Sequence, residues 1–382
     1  MKKITSLLLF TCLFSLLCAC SAFFDKDNTP PPAPLIQFTP ETTVHPLWTA
    51  HPNKGSGEKY LKLLPAVSNQ TVYTASHNGL VTATDNGTGK TRWQISIGRE
   101  ITAGVAADHS LVLIGTHNGD LFALDPANGN ILWKAHASSE IFACPTIGQN
   151  LVVIKTIDGQ LSALGKTDGQ LHWHYQQMEP TLILRSASSP QISQHNVIAG
   201  FANGNLVKLT LQGGNLIWQN TLASATGSFA IQRMIDIDAD PIIFDNQVYA
   251  ATYQGRIAAI DFNSGDSRWT KDISSYTGLS VDSHQVYVSD AQSHIWAFDR
   301  NTGHINWDQA ELAARNITGP VIMGNYLVVG DGEGYLHWLS RNDGHVVARI
   351  RVAHSGIVAT PVVINRVLYA VTQDGHLSAY VY

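Results

Sequence analysis

Three groups of residues have the types and spacing that could do chemistry. Asp236-x-Asp238-x-Asp240 sets a carboxylate at every second position, the oxygen-rich pattern that hard cations favour. A calcium loop also needs a glycine for its sharp turn and a distal bidentate glutamate. Pro241 and Gln247 stand at those positions, so the pattern reads against calcium. His172-x-His174 would put two imidazoles on one face of a strand, half of a zinc site, but no third ligand follows at a matching spacing. Cys144 precedes Pro145 in a strand-like run and reads as a small buried residue rather than a nucleophile. The chain has no nucleophile elbow, no phosphate-binding loop and no Gly-x-Gly-x-x-Gly after a strand. These groups give no catalytic residue, no metal site and no cofactor.

The elements that must position them come from a repeat. Between Gly119 and Trp133 the chain shows a glycine, an apolar alternation, a turn glycine (Gly129) and a tryptophan. Further copies start at Gly79, Gly159, Gly204, Gly255, Ser293 and Gly334, each with a second glycine ten residues on. In six of the seven copies Trp follows that glycine by four residues, and the last has Ala348 instead. Alternation at period two is the spacing of a strand, and a glycine at the turn suits a hairpin. A Pro-led apolar run and a second apolar run precede each hairpin, as at Pro320-Val321-Ile322 and Leu327-Val328-Val329. Each repeat is therefore a four-stranded antiparallel unit.

The two ends of the chain carry complementary fragments. Trp48 has no Gly-x-Leu segment before it, and Gly375-His376-Leu377 begins a unit that stops before its Trp. Pairing these N-terminal and C-terminal strands closes a ring and removes two exposed sheet edges. The expected fold is all-β, an eight-bladed β-propeller of four-stranded antiparallel blades. Trp spacings of 38 to 51 residues agree with it. The repeated indoles are packing residues, each burying roughly 150–250 Å². Ala348 predicts a looser seventh blade, with Trp338 a candidate to fill the gap.

Before the ring, Lys2 and Lys3 lead an apolar run that ends in Leu17-Cys18-Ala19-Cys20. The run is short for a membrane span and has the flanks of an export signal. Its end resembles a bacterial lipobox, which makes Cys20 the lipid-bearing first residue and leaves Cys144 as a lone thiol. Ser21, rather than Asp, after the cysteine suits sorting to the outer membrane. The expected organisation is residues 1–19 as signal peptide, 20–40 as lipidated cysteine and Pro-rich tether, and 41–382 as propeller. Removing Lys2 and Lys3 from the 24 basic residues leaves 22 against 29 acidic ones, a net charge of −7 that disfavours nucleic acid.

Two insertions break the regularity. One runs from Tyr175 to Ser189 and contains Leu182-Ile183-Leu184-Arg185; the other runs from Thr226 to Asp240. On neighbouring blades, such loops share one face of a ring. Exposed leucines beside an arginine, facing an acidic loop, have the composition of a partner site.

The repeat is similar to that of quinoprotein dehydrogenases, which bind pyrroloquinoline quinone with calcium. That family has adjacent cysteines at the cofactor and a much longer chain, so this resemblance supports the fold and leaves a quinone- or calcium-dependent periplasmic enzyme as the alternative. Lipobox, tether, repeats and both insertions together more closely resemble the BamB family, lipoproteins of the outer-membrane β-barrel assembly machinery. The resemblance implies a non-catalytic scaffold on the periplasmic face of the outer membrane, anchored through its lipid alone. It implies binding to the periplasmic domains of the central subunit, BamA, and help in folding and inserting barrel proteins, with unfolded outer-membrane proteins as a further partner. Carried onto this sequence, the interface residues are Leu182, Leu184, Arg185, Asp236 and Asp238. The aspartates either orient Arg185 or meet a basic group of the partner.

Overall fold

Each sequence repeat folds into one sheet of four antiparallel strands taken in chain order. The computed structural model describes residues 29–184 and 187–382. The expected signal peptide and Cys20 lie outside the described residues. Seven sheets are continuous in sequence, spanning 66–96, 101–136, 146–176, 191–221, 242–272, 279–309 and 321–351. The eighth joins Val362–Ile364, Val367–Val371 and Leu377–Val381 to the N-terminal strand His45–Ala50. Trp48 sits opposite Ala379 in that closing pair. The eight-bladed, end-closed ring is the architecture that the repeats predict.

The Gly-to-Trp motif is explained by contacts between neighbouring blades. Each repeat indole donates its Nε1–H to a backbone carbonyl in the hairpin turn of the next blade, at 2.8–3.0 Å. The acceptors are Asn86, Pro126, Lys166, Leu211, Phe262, Arg300 and Arg341. The turn glycine of that next blade lies flat under the ring. A Cβ on Gly89, Gly129, Gly169, Gly214, Gly265, Gly303 or Gly344 would stand 2.5–2.9 Å from the indole of the blade before, and all seven have positive φ. Glycine is thus required twice, for the left-handed turn and for the approach of the indole. Across the strand pair, an alanine leaves room for the ring: Ala83, Ala123, Ala163, Ala259 and Ala297 stand opposite Trp93, Trp133, Trp173, Trp269 and Trp307.

Blade seven inverts this pair, with Trp338 opposite Ala348. Trp338 is fully buried and meets Tyr380 edge-on at 6.3 Å. The looseness expected at Ala348 is therefore not found; Trp338 fills the space. The inversion has a reason in the closure. The turn on which an indole at position 348 would lie belongs to blade eight, where the chain is open between Leu377–Val381 and His45–Ala50. Without a turn glycine there, the indole comes from the adjacent strand.

The compact body begins at Ala33, ahead of the expected end of the tether at Pro40. Ile36 and Phe38 pack on the core between blades six and seven, and Glu41 N–H donates to the Val347 carbonyl at 3.0 Å. Two arginines hold this strap: Arg315 donates to the Ala33 carbonyl at 2.8 Å and Arg349 to that of Ile36 at 3.0 Å. Arg315 is itself fixed by the buried Asp331, which also pairs with the buried His337.

Because strands within a blade alternate in direction, every link from an outer strand to the next blade's inner strand lies on one face of the ring. Both insertions are such links. So is the segment 51–65, which joins the closing strand to blade one and buries Leu61 and Leu63.

Candidate functional site

The second insertion ends in Met234-Ile235-Asp236-Ile237-Asp238-Ala239-Asp240, an extended run with two different sides. Ile237 and Ala239 are buried on one side, and a Cβ at Gly200 would stand 2.3 Å from Ile237, so Gly200 exists to admit this segment. On the other side the three carboxylates meet the backbone of the first insertion. Asp236 Oδ1 accepts from Leu184 N–H at 2.8 Å, Asp238 Oδ1 from Ala187 N–H at 2.6 Å, and Asp240 Oδ1 from Ser189 N–H at 2.7 Å. Aspartates at alternate positions thus hold the backbone of the first insertion at 184, 187 and 189. Each carboxylate takes up a backbone donor that the irregular loop would otherwise bury unpaired.

Asp238 has a further partner. Lys62, from the segment that precedes blade one, reaches it with Nζ at 3.0 Å and donates also to the Tyr276 carbonyl at 2.6 Å. The N-terminal link, the two insertions and the start of blade six are thereby joined in one polar network.

Asp236 and Asp238 are buried, while Asp240 is exposed where it lines the central channel. Burial, with Asp238 and Glu179 close by, pushes Asp236 up to about 7 although the Leu184 N–H pulls the other way. Burial likewise raises Glu179. It lowers Lys155, whose Nζ donates to the Gly200 carbonyl at 2.7 Å, to about 8 against the attraction of Glu179 and the three aspartates. Asp236 and Asp238 are thus positioning residues for the loop, an assignment beyond the two alternatives raised for them from sequence. Arg185 lies outside the described residues.

Beside the network the surface is apolar. Leu182 is 45 % exposed and Met178 89 %, and on the short 3-10 turn Ala230–Arg233 and its N-cap, Ile231 is 62 % exposed and Phe229 68 %. Leu184 turns inward and lines a pocket of about 290 Å³ with Tyr60, Phe142, Tyr253 and Tyr276, floored by Lys62 and Asp238. Of the residues singled out from sequence, Leu182, Leu184, Asp236 and Asp238 come together here. His172 and His174 are exposed on the outer strand Leu171–Gln176. Cys144 stands in the wall of the central channel, its Sγ 3.5 Å from the Gly104 carbonyl, and burial pushes the thiol up to about 12.

With both insertions and the ring in place, the comparisons decide the family. The family model described as outer membrane protein assembly factor BamB matches residues 77–309 and 310–381. The outer membrane protein assembly factor BamB of Alkalilimnicola ehrlichii is 47 % identical over 333 residues, 87 % of each chain. The chain belongs to the BamB family.

The crystal structure of BamB from Moraxella catarrhalis aligns with a TM-score of 0.83 at 28 % identity, covering 89 % of this chain and 100 % of that one. The quinohemoprotein alcohol dehydrogenase of Comamonas testosteroni aligns with a TM-score of 0.71 at 13 % identity, covering 88 % of this chain and 76 % of that one. At that identity the likeness is one of fold alone. Sequence reasoning did not find Lys62, Tyr60, Tyr253 or Tyr276, which come from links and blades far apart in the chain. Met178, Phe229 and Ile231 carried a readable signal, large apolar residues within the insertions.

Proposed function

We propose that this chain is a non-catalytic scaffold of the outer-membrane β-barrel assembly machinery, and that its two insertions bind the periplasmic domains of BamA. In this reading Cys20 carries the lipid that holds the ring on the periplasmic face of the outer membrane, and the scaffold assists folding and insertion of barrel proteins. The observation that carries the reading is the clasp of three aspartates on the backbone of the first insertion. A loop held at three points keeps Leu182 exposed at little further cost in conformational entropy, which favours binding by a preformed surface. Leu182 supplies an apolar anchor, Leu184 shapes the pocket behind it, and Arg185 supplies charge-assisted bonds to a carboxylate. Asp236 and Asp238 act through the loop. The names of the relatives support the assembly role.

The test is co-purification of BamA from solubilised outer membrane with full-length protein carrying Leu182→Ala and Arg185→Ala together. Loss of BamA with an unchanged melting temperature is the expected result. Undiminished recovery would remove the site from these residues.

A further inference from the structure

The N-terminal segment meets the ring at its most vulnerable joint. Seven blades are continuous in sequence, and only the eighth depends on pairing between the two ends of the chain, His45–Ala50 with Leu377–Val381. That pairing is poorest at the end the chain reaches first. Pro46 has no N–H to give to the ladder, the register shifts between Pro46 and Trp48, and His45, Pro46 and Leu47 are exposed. A pull arriving at His45 would meet these rungs one at a time and peel the strand away. Loss of that strand reopens the ring.

Residues 33–44 stand between such a pull and the closing strand. Ala33 N–H donates to the Ala313 carbonyl at 2.9 Å, in the link between blades six and seven, so the strap starts on the linker face. Glu41 N–H reaches the Val347 carbonyl at 3.0 Å, and its carboxylate meets His345 Nε2 at 2.9 Å in a turn on the opposite face. The strap therefore crosses the full height of blade seven before the chain turns back as the closing strand. Its hold is spread along that height. Arg315 and Arg349 donate to the carbonyls of Ala33 and Ile36, and the Arg349 guanidinium lies 5.0 Å from the centre of the Phe38 ring. Ile36 and Phe38 pack on the cluster between blades six and seven, and Val44, next to His45, on the cluster that holds Trp338. Both arginines are fixed from behind, Arg315 by the buried Asp331 and Arg349 by a bond from its Nε to His337 Nδ1 at 3.1 Å.

We propose that residues 33–44 are a mechanical clamp, which carries tension from the N-terminal anchor into blades six and seven so that the strand closing the ring bears none of it. A pull that leaves from the linker face runs along the axis of the strap. Its polar bonds and apolar seats are then strained together, whereas the rungs of the closing strand would be strained in turn. A ring held at one point by a lipid and at another by BamA is loaded whenever the two move apart. That source of load rests on the scaffold reading above; the clamp is a property of the ring alone.

The test is optical-tweezers pulling on the mature full-length chain between Cys20 and Asn301→Cys, an exposed turn of blade six on the face opposite the linkers, with Cys144→Ala so that only these two thiols take handles. If the strap bears the load, strap and closing strand release in one step of about 60 Å of contour length, residues 33–50 at ~3.4 Å each. Ile36→Ser with Phe38→Ser leaves the arginines, Asp331 and the closing strand in place. It should open the ring at least about tenfold faster at the same load, in a step of about 20 Å, because the strap is already loose. A wild-type trace in which a strap-only step of about 40 Å comes at lower force than release of the strand would overturn the proposal, whatever the variant does. So would equal opening rates in wild type and variant. No BamA is present in the experiment, so a failed clamp leaves the scaffold reading standing, and lost co-purification leaves the clamp standing.

Discussion

Asp236→Asn isolates the electrostatics of the clasp from its geometry. The amide keeps an oxygen for the Leu184 N–H, now held at 2.8 Å, but cannot ionise. Asp236 is fully buried, and burial pushes its carboxyl from the usual 3.8 up to about 7. The folded state therefore holds a proton that the unfolded chain releases near pH 4. Between pH ~4 and ~7 stability falls as pH rises, and the full penalty stands above pH 7. A shift of that size corresponds to roughly 4 kcal/mol as an upper bound. At pH 5 the variant should already be the more stable by ~1–2 kcal/mol, and the difference should grow to as much as ~4 kcal/mol at pH 8. Lys155, lowered to about 8, gives an opposite slope above that pH; because Asp236 is among the acids that attract it, the comparison is confined to pH 8 and below. Urea unfolding from pH 5 to 8 measures the effect, and hydrogen exchange at the Leu184 amide locates it. Parallel pH profiles for the two proteins would refute the argument that ionising this carboxyl strains the clasp.

Three further outcomes follow from the packing. Gly214→Ala forces a side chain into φ +64° with its Cβ 2.5 Å from the Trp173 ring, and should cost ~2–4 kcal/mol in urea unfolding. Gly98→Ala, at the same φ with none of the described residues within 4 Å of the added Cβ, should cost only ~1–2 kcal/mol. Trp338→Ala should destabilise by ~3–5 kcal/mol, and adding Ala348→Trp should not restore the loss, because no turn glycine lies where that indole would stack; full recovery in unfolding curves would contradict the account of ring closure. Arg315→Ala leaves Asp331 buried beside His337 without its guanidinium and should cost ~3–5 kcal/mol, with limited proteolysis cutting within residues 33–41 sooner than in the wild type.

The ring was legible because its signals are local and repeated. A glycine ten residues after another, then a tryptophan, fixes a hairpin whatever else surrounds it, and the split unit at Trp48 and Leu377 announces closure. What was misread concerns the one place where the repeat meets its own ends. Ala348 looked like a missing packing residue, since the sequence does not reveal that the turn beneath it would fall at the break in the chain. Likewise the prolines before Pro40 suggested a tether. Ile36 and Phe38, alternating within that stretch, are the strap that covers blade seven, and only the two arginines that meet its carbonyls, Arg315 and Arg349, far along the chain, make this plain.

The candidate site was legible in its location and not in its mechanics. Insertions stand out against a regular period, so Leu182 and the aspartates could be named. The role of the aspartates could not, because Asp-x-Asp-x-Asp presents the same spacing to a cation, to a partner's basic group and to a row of backbone N–H donors. Burial distinguishes them. A carboxylate that must ionise in contact with solvent cannot be enclosed between Ile237 and a neighbouring loop, whereas one that accepts a backbone N–H gains from the enclosure. The same logic explains why Lys62 pairs with Asp238, the middle aspartate. A cation placed centrally, with Lys155 close to the same acids, offsets the charge that the buried Asp236 and Asp238 and their neighbour Asp240 would otherwise accumulate, which lets the insertions pack as one unit against the ring.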